Sequence, residues 1–267
     1  MSLTSSPDLV ARPAARAPGR RLRINYEGVA VFATIIVAWH VASGVLPPFL
    51  FPSFGTIAAA IADIVTSQDS LLAIAATFVR ILAALSVGFI VALLVGLWSG
   101  FQVHVERAML PLVQFLQGVP ALCWVIFAVL WFKQLEARIA FVVIISTFPS
   151  FYYQIREGVR SVPAELDDMV RALRPTRWQL VGKLILPSLV PQILTAWRLN
   201  LGGGTKVTIM AELLSGISGI GYQLHLAQEL FRMDRAIAWT VVLVLFVLGT
   251  NAILGLVDRR LLRWRQR

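Results

Sequence analysis

The stretch 161–187, SVPAELDDMVRALRPTRWQLVGKLILP, decides how the rest of the chain is read. It is a conspicuously charged interval set between two blocks of membrane-grade hydrophobicity, and it reads as two short amphipathic helices. In the first, Leu166, Met169, Val170 and Leu173 recur at helical spacing and form one apolar stripe. Pro163 suits a first helical turn, and Glu165, Asp167 and Asp168 place negative charge where a helix N-terminus favours it. Pro175 ends this helix, because proline disfavours the α conformation in the residue before it, Arg174. Thr176 followed three residues later by Gln179 is a capping-box pattern and starts the second helix. Leu184, Ile185 and Leu186 then run up to Pro187, which marks the next bend. Two readings suit the stripe: a loop folded back on its own protein or lying on lipid headgroups, and a docking element laid into the groove of a soluble partner.

Working outward, the chain around this loop is built for a membrane. Of its 267 residues 58% are hydrophobic and only 14% charged, which sets it apart from ordinary soluble domains. Several apolar runs reach or approach the length that crosses a bilayer, so one all-α integral membrane domain over 25–267 is expected. The net charge of +10 could suggest nucleic acid, but the basic residues occupy tails and short loops between apolar segments, the placement the positive-inside rule produces. Nucleic-acid binding is therefore not expected. The single Cys123 lies within an apolar run and excludes an intrachain disulfide.

Residues 1–24 are rich in Ala, Pro, Ser and Arg without apolar periodicity, and read as a disordered, basic cytoplasmic tail. The first apolar block begins late and no small-residue cleavage site follows it, so a retained helix over 29–45 is expected rather than a signal peptide. Leu46-Pro47-Pro48 ends it, and Phe54–Ser67, capped by Pro52-Ser53, reads as a short interfacial helix. Further spans are expected at about 76–100, 108–132, 139–155, 188–214 and 236–257, six in all, with the two-helix loop 161–187 between the fourth and fifth. Gly96 and Gly100 in the second span stand in a Gly-x-x-x-Gly relation that allows close helix approach. Pro111 and Pro120 should bend or interrupt the third. The stretch 215–234 reads as an external loop. On this topology seventeen of the 24 Lys and Arg share the side of both termini and the 161–187 loop, four lie opposite and three lie inside spans. That asymmetry puts both termini and the loop in the cytoplasm.

Catalytic constellations are missing from the sequence. His40, His104 and His225 sit on different expected elements with no metal-ligand spacing, and no phosphate-cradling Gly-Lys-Ser/Thr loop is present. Gly202-Gly203-Gly204 lies within a span and is expected to serve close packing or bending. Charges inside the membrane are costly and default to functional candidates. Arg198 and Lys206, eight residues apart, fall within about 80° on one helix face. A cationic face on a central path would suit an anionic solute; alternatively both snorkel to the interfaces. Arg80, near an expected helix end, is read as snorkelling. Glu212 either pairs with an internal cation or lies at an interface. The eight tryptophans fall mostly near span ends and suit an interfacial belt.

The loop resembles the cytoplasmic loop of ABC importer permeases, whose signature is Glu-Ala-Ala, three residues, Gly, nine residues, Ile, one residue, Leu-Pro. On this chain the register puts Asp168, Met169 and Val170 at the first three positions, Arg174 at the glycine, Leu184 at the isoleucine and Leu186-Pro187 at the end. The acidic residue is the shorter homologue, both alanines are replaced by larger residues, and Pro175 stands where it can make the turn the glycine would make. Leu46-Pro47, the Pro52-Ser53 turn and the run Pro111–Pro120 are also similar to the nitrate, sulfonate and taurine branch of these permeases.

The resemblance implies a permease subunit of a bacterial ABC importer, multi-pass in the inner membrane, with two copies forming the solute pathway. Two ATPase subunits would carry ATP and Mg, with no cofactor on this chain, and would receive the coupling loop through Glu165, Asp168, Met169, Val170, Leu173, Arg174, Leu184, Leu186 and Pro187. A periplasmic or lipid-anchored solute-binding protein would deliver a small anionic or organosulfur solute, with Arg198, Lys206 and Glu212 as candidates along the path. A six-span secondary transporter or channel without an ATPase would use the same topology. It would more often carry intramembrane acidic residues or inverted repeats.

Overall fold

A computed structural model describes residues 26–162, 165, 169, 170, 172 and 176–261, and among these every regular element is helical. The tail 1–24, together with Asp168, Leu173 and Arg174 of the loop, lies outside the described residues. The helices are α1 Tyr26–Val45, α2 Phe54–Thr66, α3 Gln68–Phe101, α4 Val103–Gly118, α5 Ala121–Trp131 and α6 Leu135–Arg160. After the loop come α7 Arg177–Leu180, a π-helical turn Val181–Ile185, α8 Leu186–Ser215, α9 Ile220–Glu229 and α10 Met233–Leu261.

The core lies where α3, α6 and α8 meet. Ile81, Leu85 and Ala92 of α3, Val142, Val143, Phe151, Tyr152 and Ile155 of α6, and Ala196 and Leu201 of α8 are buried in one cluster. Small residues let these long helices close. A Cβ on Gly96 would lie 2.8 Å from Ile155 Cγ2, and one on Gly100 2.6 Å from Val159 Cγ1, so the Gly-x-x-x-Gly pair is a contact surface for α6. Gly204 plays the same part on α8, with Leu85 Cδ2 2.8 Å from its added Cβ. Gly202 and Gly203 do not, since an added Cβ at either meets nothing within 4 Å. The close-packing role expected for the whole glycine run belongs to Gly204 alone.

Around this core the outer helices follow the sequence pattern with three departures. Helix α2 forms as expected, its first turn capped by Ser53 Oγ accepting from Thr56 N at 3.2 Å, with Ile57, Ala60 and Ile64 buried along one face. That face meets Ala238 and Trp239 of α10 and Ile220 of α9. The first departure is in α3, which begins at Gln68 rather than near 76. Its 34 residues span about 51 Å at the helical rise, more than the ~30 Å hydrocarbon core, so the polar turn Gln68-Asp69-Ser70 projects beyond the apolar run. Second, the third span is not continuous. Helices α4 and α5 meet at 94° across Val119-Pro120. Pro120 lacks the N–H to continue the ladder and holds Val119 extended at φ −82°, ψ 123°, whereas Pro111 stays within α4. Third, the stretch after α8 is not all loop: it carries α9. Among the described residues four helices are long and apolar enough to cross a membrane, five when the bent α4–α5 pair counts as one. Helix α8 is 30 residues long but carries the polar residues already noted.

Among the described residues Trp124 and Trp239 depart from an interfacial belt, both being buried in core clusters. Helix α1 has no buried residue and is tied back through Trp39, whose Nε1 donates to Pro52 O at 3.1 Å.

Candidate functional site

In the described part of the 161–187 loop the capping pattern at Thr176 is formed. Thr176 N donates to Gln179 Oε1 at 3.0 Å and Gln179 N donates to Thr176 Oγ1 at 3.3 Å, the reciprocal pair of a capping box. The helix started there widens at Val181–Ile185, where Leu186 N donates to Val181 O. A five-residue turn makes room for the Pro187 ring beside the Lys183 carbonyl, which a regular turn would crowd. The apolar stripe is split between two environments. Val170 packs with Leu184 against the buried Leu180, Ile185 and Leu189, while Met169 is 63% exposed. Leu186 and Pro187 also face outward, as does Glu165. One side of the segment therefore folds back on the protein and the other is left open.

Both stems of the segment are fastened together. Gly158, near the end of α6, has no room for a side chain: a Cβ there would run into Leu189 Cδ2 and come within 3.3 Å of Gln192 on α8. Ser161 Oγ donates to Gly158 O at 2.8 Å and accepts from Gln192 Nε2 at 3.3 Å. Gly158→Val is expected to force α6 and α8 apart and to cost about 1–3 kcal/mol by overpacking. A lower midpoint of thermal aggregation in detergent is the readout, and an unchanged midpoint would show that the stems part freely.

A third fastening was not legible in the sequence. Glu106, in the first turn of α4, is only 5% exposed. It accepts from Arg156 Nε at 2.7 Å and from Arg160 Nη2 at 2.6 Å, and Arg156 Nη2 also donates to it. The two arginines sit one turn apart at the end of α6, immediately before the 161–187 loop. The signal available was a carboxylate in a short basic link; its partners lie 50 and 54 residues away.

At the opposite end of the bundle Glu212 is fully buried. Thr77 Oγ1 lies 2.9 Å from both its carboxylate oxygens, Arg80 Nη1 donates at 2.8 Å and Gly221 N at 2.9 Å. Thr77 Oγ1 accepts in turn from Ile220 N at 2.8 Å. Arg80 also donates to Ser218 O at 3.1 Å and pairs with Glu136 at 2.7 Å. Gly219 makes this possible: its φ of 103° is left-handed, and a Cβ there would collide with the Glu212 carboxylate. The expectation that Arg80 snorkels is corrected. Its side chain is 8% exposed, because α3 starts twelve residues before it and places it inside the bundle. Of the two readings of Glu212, the structure supports pairing with an internal cation.

The remaining path candidates separate. Lys206 is exposed and lines a cavity of about 770 Å³ between α5, α8 and α10. Arg198 lies two turns earlier on α8, beside Gly255 of α10, and does not line that cavity. Glu212 does not line it either. Among the described residues no group of three His, Cys, Asp or Glu side chains could hold a metal ion.

A loop carried on clamped stems at one end of a bundle of apolar helices, with one broken helix pair, is an arrangement with known relatives. The family model for the binding-protein-dependent transport system inner membrane component matches residues 88–263. The chain belongs to this family. A putative aliphatic sulfonates transport permease, SsuC of Bacillus subtilis, is 27% identical over 263 residues, covering 98% of this chain and 95% of the relative. The bicarbonate transport permease CmpB of Synechococcus elongatus is 29% identical over 194 residues, 72% of this chain and 66% of the relative. The permease also shares its fold with the crystal structure of an amino acid ABC transporter, at a TM-score of 0.60 and 16% identity over 71% of this chain and 92% of that chain. It is thus a multi-pass ABC transporter permease, a transport subunit and not an enzyme. The family sets aside a stand-alone channel or secondary transporter.

Proposed function

We propose that this permease works as one of two copies that form the solute pathway of a bacterial ABC importer. It crosses the inner membrane six times, with both termini and the coupling segment in the cytoplasm. Two ATPase subunits dock on that segment and supply ATP and Mg, and the permease itself holds no cofactor. A periplasmic or lipid-anchored binding protein delivers the solute from the other side. The solute is a small anionic or organosulfur compound, such as a sulfonate, taurine-like compound, nitrate or bicarbonate. SsuC and CmpB bear the names of anion carriers, and α8 carries the cations Arg198 and Lys206.

The observation that carries the coupling role is the exposure of Met169 next to the packed Val170. A large, adaptable apolar side chain held out from a braced segment suits insertion into a partner's apolar groove. Driving the pathway then requires the ATPase to bind one permease state better than the other, since equal affinity shifts nothing.

Met169→Asp tests this. A carboxylate buried in an apolar groove loses affinity by several kcal/mol, so recovery of the ATPase with the tagged permease is expected to fall by about tenfold or more, while membrane insertion stays intact. Unchanged ATPase recovery would overturn the docking role of this face.

A further inference from the structure

Helix α4 presents three different faces. Its packing face carries the buried Glu106 and Val113, with Met109 and Leu116 against the core. Ala108, Leu112 and Phe115 form a second strip that is exposed and apolar. Between these two runs a third strip, Arg107, Pro111, Gln114 and Gly118, also exposed but without a large apolar side chain. Its i, i+4, i+7, i+11 spacing keeps it within about 60° of arc. Gln117 borders this strip at the last turn, where the packing face gives out, and it is exposed as well. A Cβ on Gly118 would meet nothing within 4 Å. The strip ends at the break. Helices α4 and α5 are each too short to cross a bilayer and reach that length only together, so Val119-Pro120 lies within the span. Pro120 offers no N–H to the Leu116 carbonyl, and the first turn of α5 has no side-chain cap. Such backbone is tolerated at membrane depth where protein covers it or water reaches it, and not against lipid. Gly118 and Pro120 are both exposed, so no described part of this chain covers it.

We infer that the strip from Arg107 to Gly118 lines the water-filled solute path, with the Gln114 and Gln117 carboxamides as its polar contacts beside the break, while the strip of Leu112 and Phe115 faces away from water. The inference rests on the importer reading above and names the surface along which the solute moves. Two independent features of α4 carry it. One is the uncovered backbone of the break, and the other is the pair of carboxamides within a turn of it, since polar side chains inside a span face the bundle interior or a water-filled cavity. Each carboxamide offers two N–H donors and an acceptor oxygen, which replace part of a small solute's hydration without the hold of a fixed charge. Passage needs that balance, with binding favourable enough to enter and weak enough to leave.

The test uses the tagged permease with its co-purifying ATPase in phosphatidylcholine nanodiscs, in a Cys123→Ala background. Gln114→Cys and Gly118→Cys probe one strip, and Leu112→Cys and Phe115→Cys the other, all at exposed positions where exchange leaves the packing intact. The probe is the anionic, water-soluble thiol reagent sulfonatoethyl methanethiosulfonate, and the gain in mass of the chain gives the rate. Thiols react as thiolates, which form in water and not in hydrocarbon. Labelling at Gln114→Cys and Gly118→Cys about tenfold or more faster than at Leu112→Cys and Phe115→Cys is therefore the expected result. Gln114→Leu combined with Gln117→Leu dries the strip and is expected to slow labelling at Gly118→Cys about tenfold. Equal rates on the two strips would overturn the assignment of a wet face. Slow labelling at Gln114→Cys, with a disulfide between copies under oxidant, would overturn it too and make the strip a contact between protomers. An unchanged rate at Gly118→Cys in the double leucine variant would overturn the part given to the carboxamides. The importer reading fails separately: fast labelling of the strip at a rate that ATP leaves unaltered would count against a driven pathway and leave the wet face standing.

Discussion

Glu212→Ala is expected to destabilise the permease by about 3–5 kcal/mol, the range for removing one partner of a buried ion pair. The carboxylate is fully buried and collects Thr77, Arg80 and the Gly221 amide. Deleting it leaves that amide and the Thr77 hydroxyl short of a buried acceptor and leaves the largely buried Arg80 with Glu136 as its one carboxylate partner beside the neutral Ser218. Glu136 is itself 67% exposed, so its hold is that of a surface pair, worth about 1 kcal/mol or less. Glu136→Ala should therefore be nearly silent beside Glu212→Ala, although both carboxylates touch the same guanidinium. Glu212→Gln, which keeps the shape and one acceptor oxygen, should fall between them. The fraction of monodisperse protein surviving a heat step, followed by size-exclusion chromatography in detergent, orders the three. Equal losses for Glu136→Ala and Glu212→Ala would show that burial is not what makes Glu212 matter.

The second large effect is expected at the other end. Glu106→Ala strips the acceptor from two arginines in the last turns of α6, with a cost of about 2–4 kcal/mol. This is discounted from the buried-pair range because the Arg160 side chain is 48% exposed and returns to water. Arg156, 16% exposed, does so less readily. Because these turns lead straight into the coupling segment, the loss should reach beyond stability. Recovery of the ATPase with the tagged chain is expected to fall in Glu106→Ala and to return in part in Glu106→Asp. A destabilised Glu106→Ala permease that retains its ATPase in full would confine Glu106 to bracing α4.

Much of this architecture is local and so could be read in advance. The apolar runs, the Ser53 cap, the Pro120 interruption and the Thr176–Gln179 capping box depend on residues within a few positions of one another, where side-chain spacing alone decides which groups meet. In the 161–187 loop the start of the second helix at Thr176 was likewise legible. Which side of its stripe turns inward was not: Val170 packs against Leu180 and Leu189, residues of the second helix and of α8, and neighbouring positions on one stripe face different surroundings only once those helices are placed. Gly202 and Gly204 are alike in sequence, and it is Leu85, from a helix more than a hundred residues earlier, that distinguishes them.

The sequence by itself determined that this chain is a helical membrane protein with a charged loop between its apolar blocks, because hydropathy and helical period are properties of contiguous residues. Only the tertiary structure decided what its charges do. Arg80 is joined to a carboxylate 132 residues away and Glu106 to a guanidinium 50 residues away. Such pairs are set by which faces of α3, α4, α6 and α8 come together. In the dry interior of the bundle a charge is stable only where that packing brings it a partner.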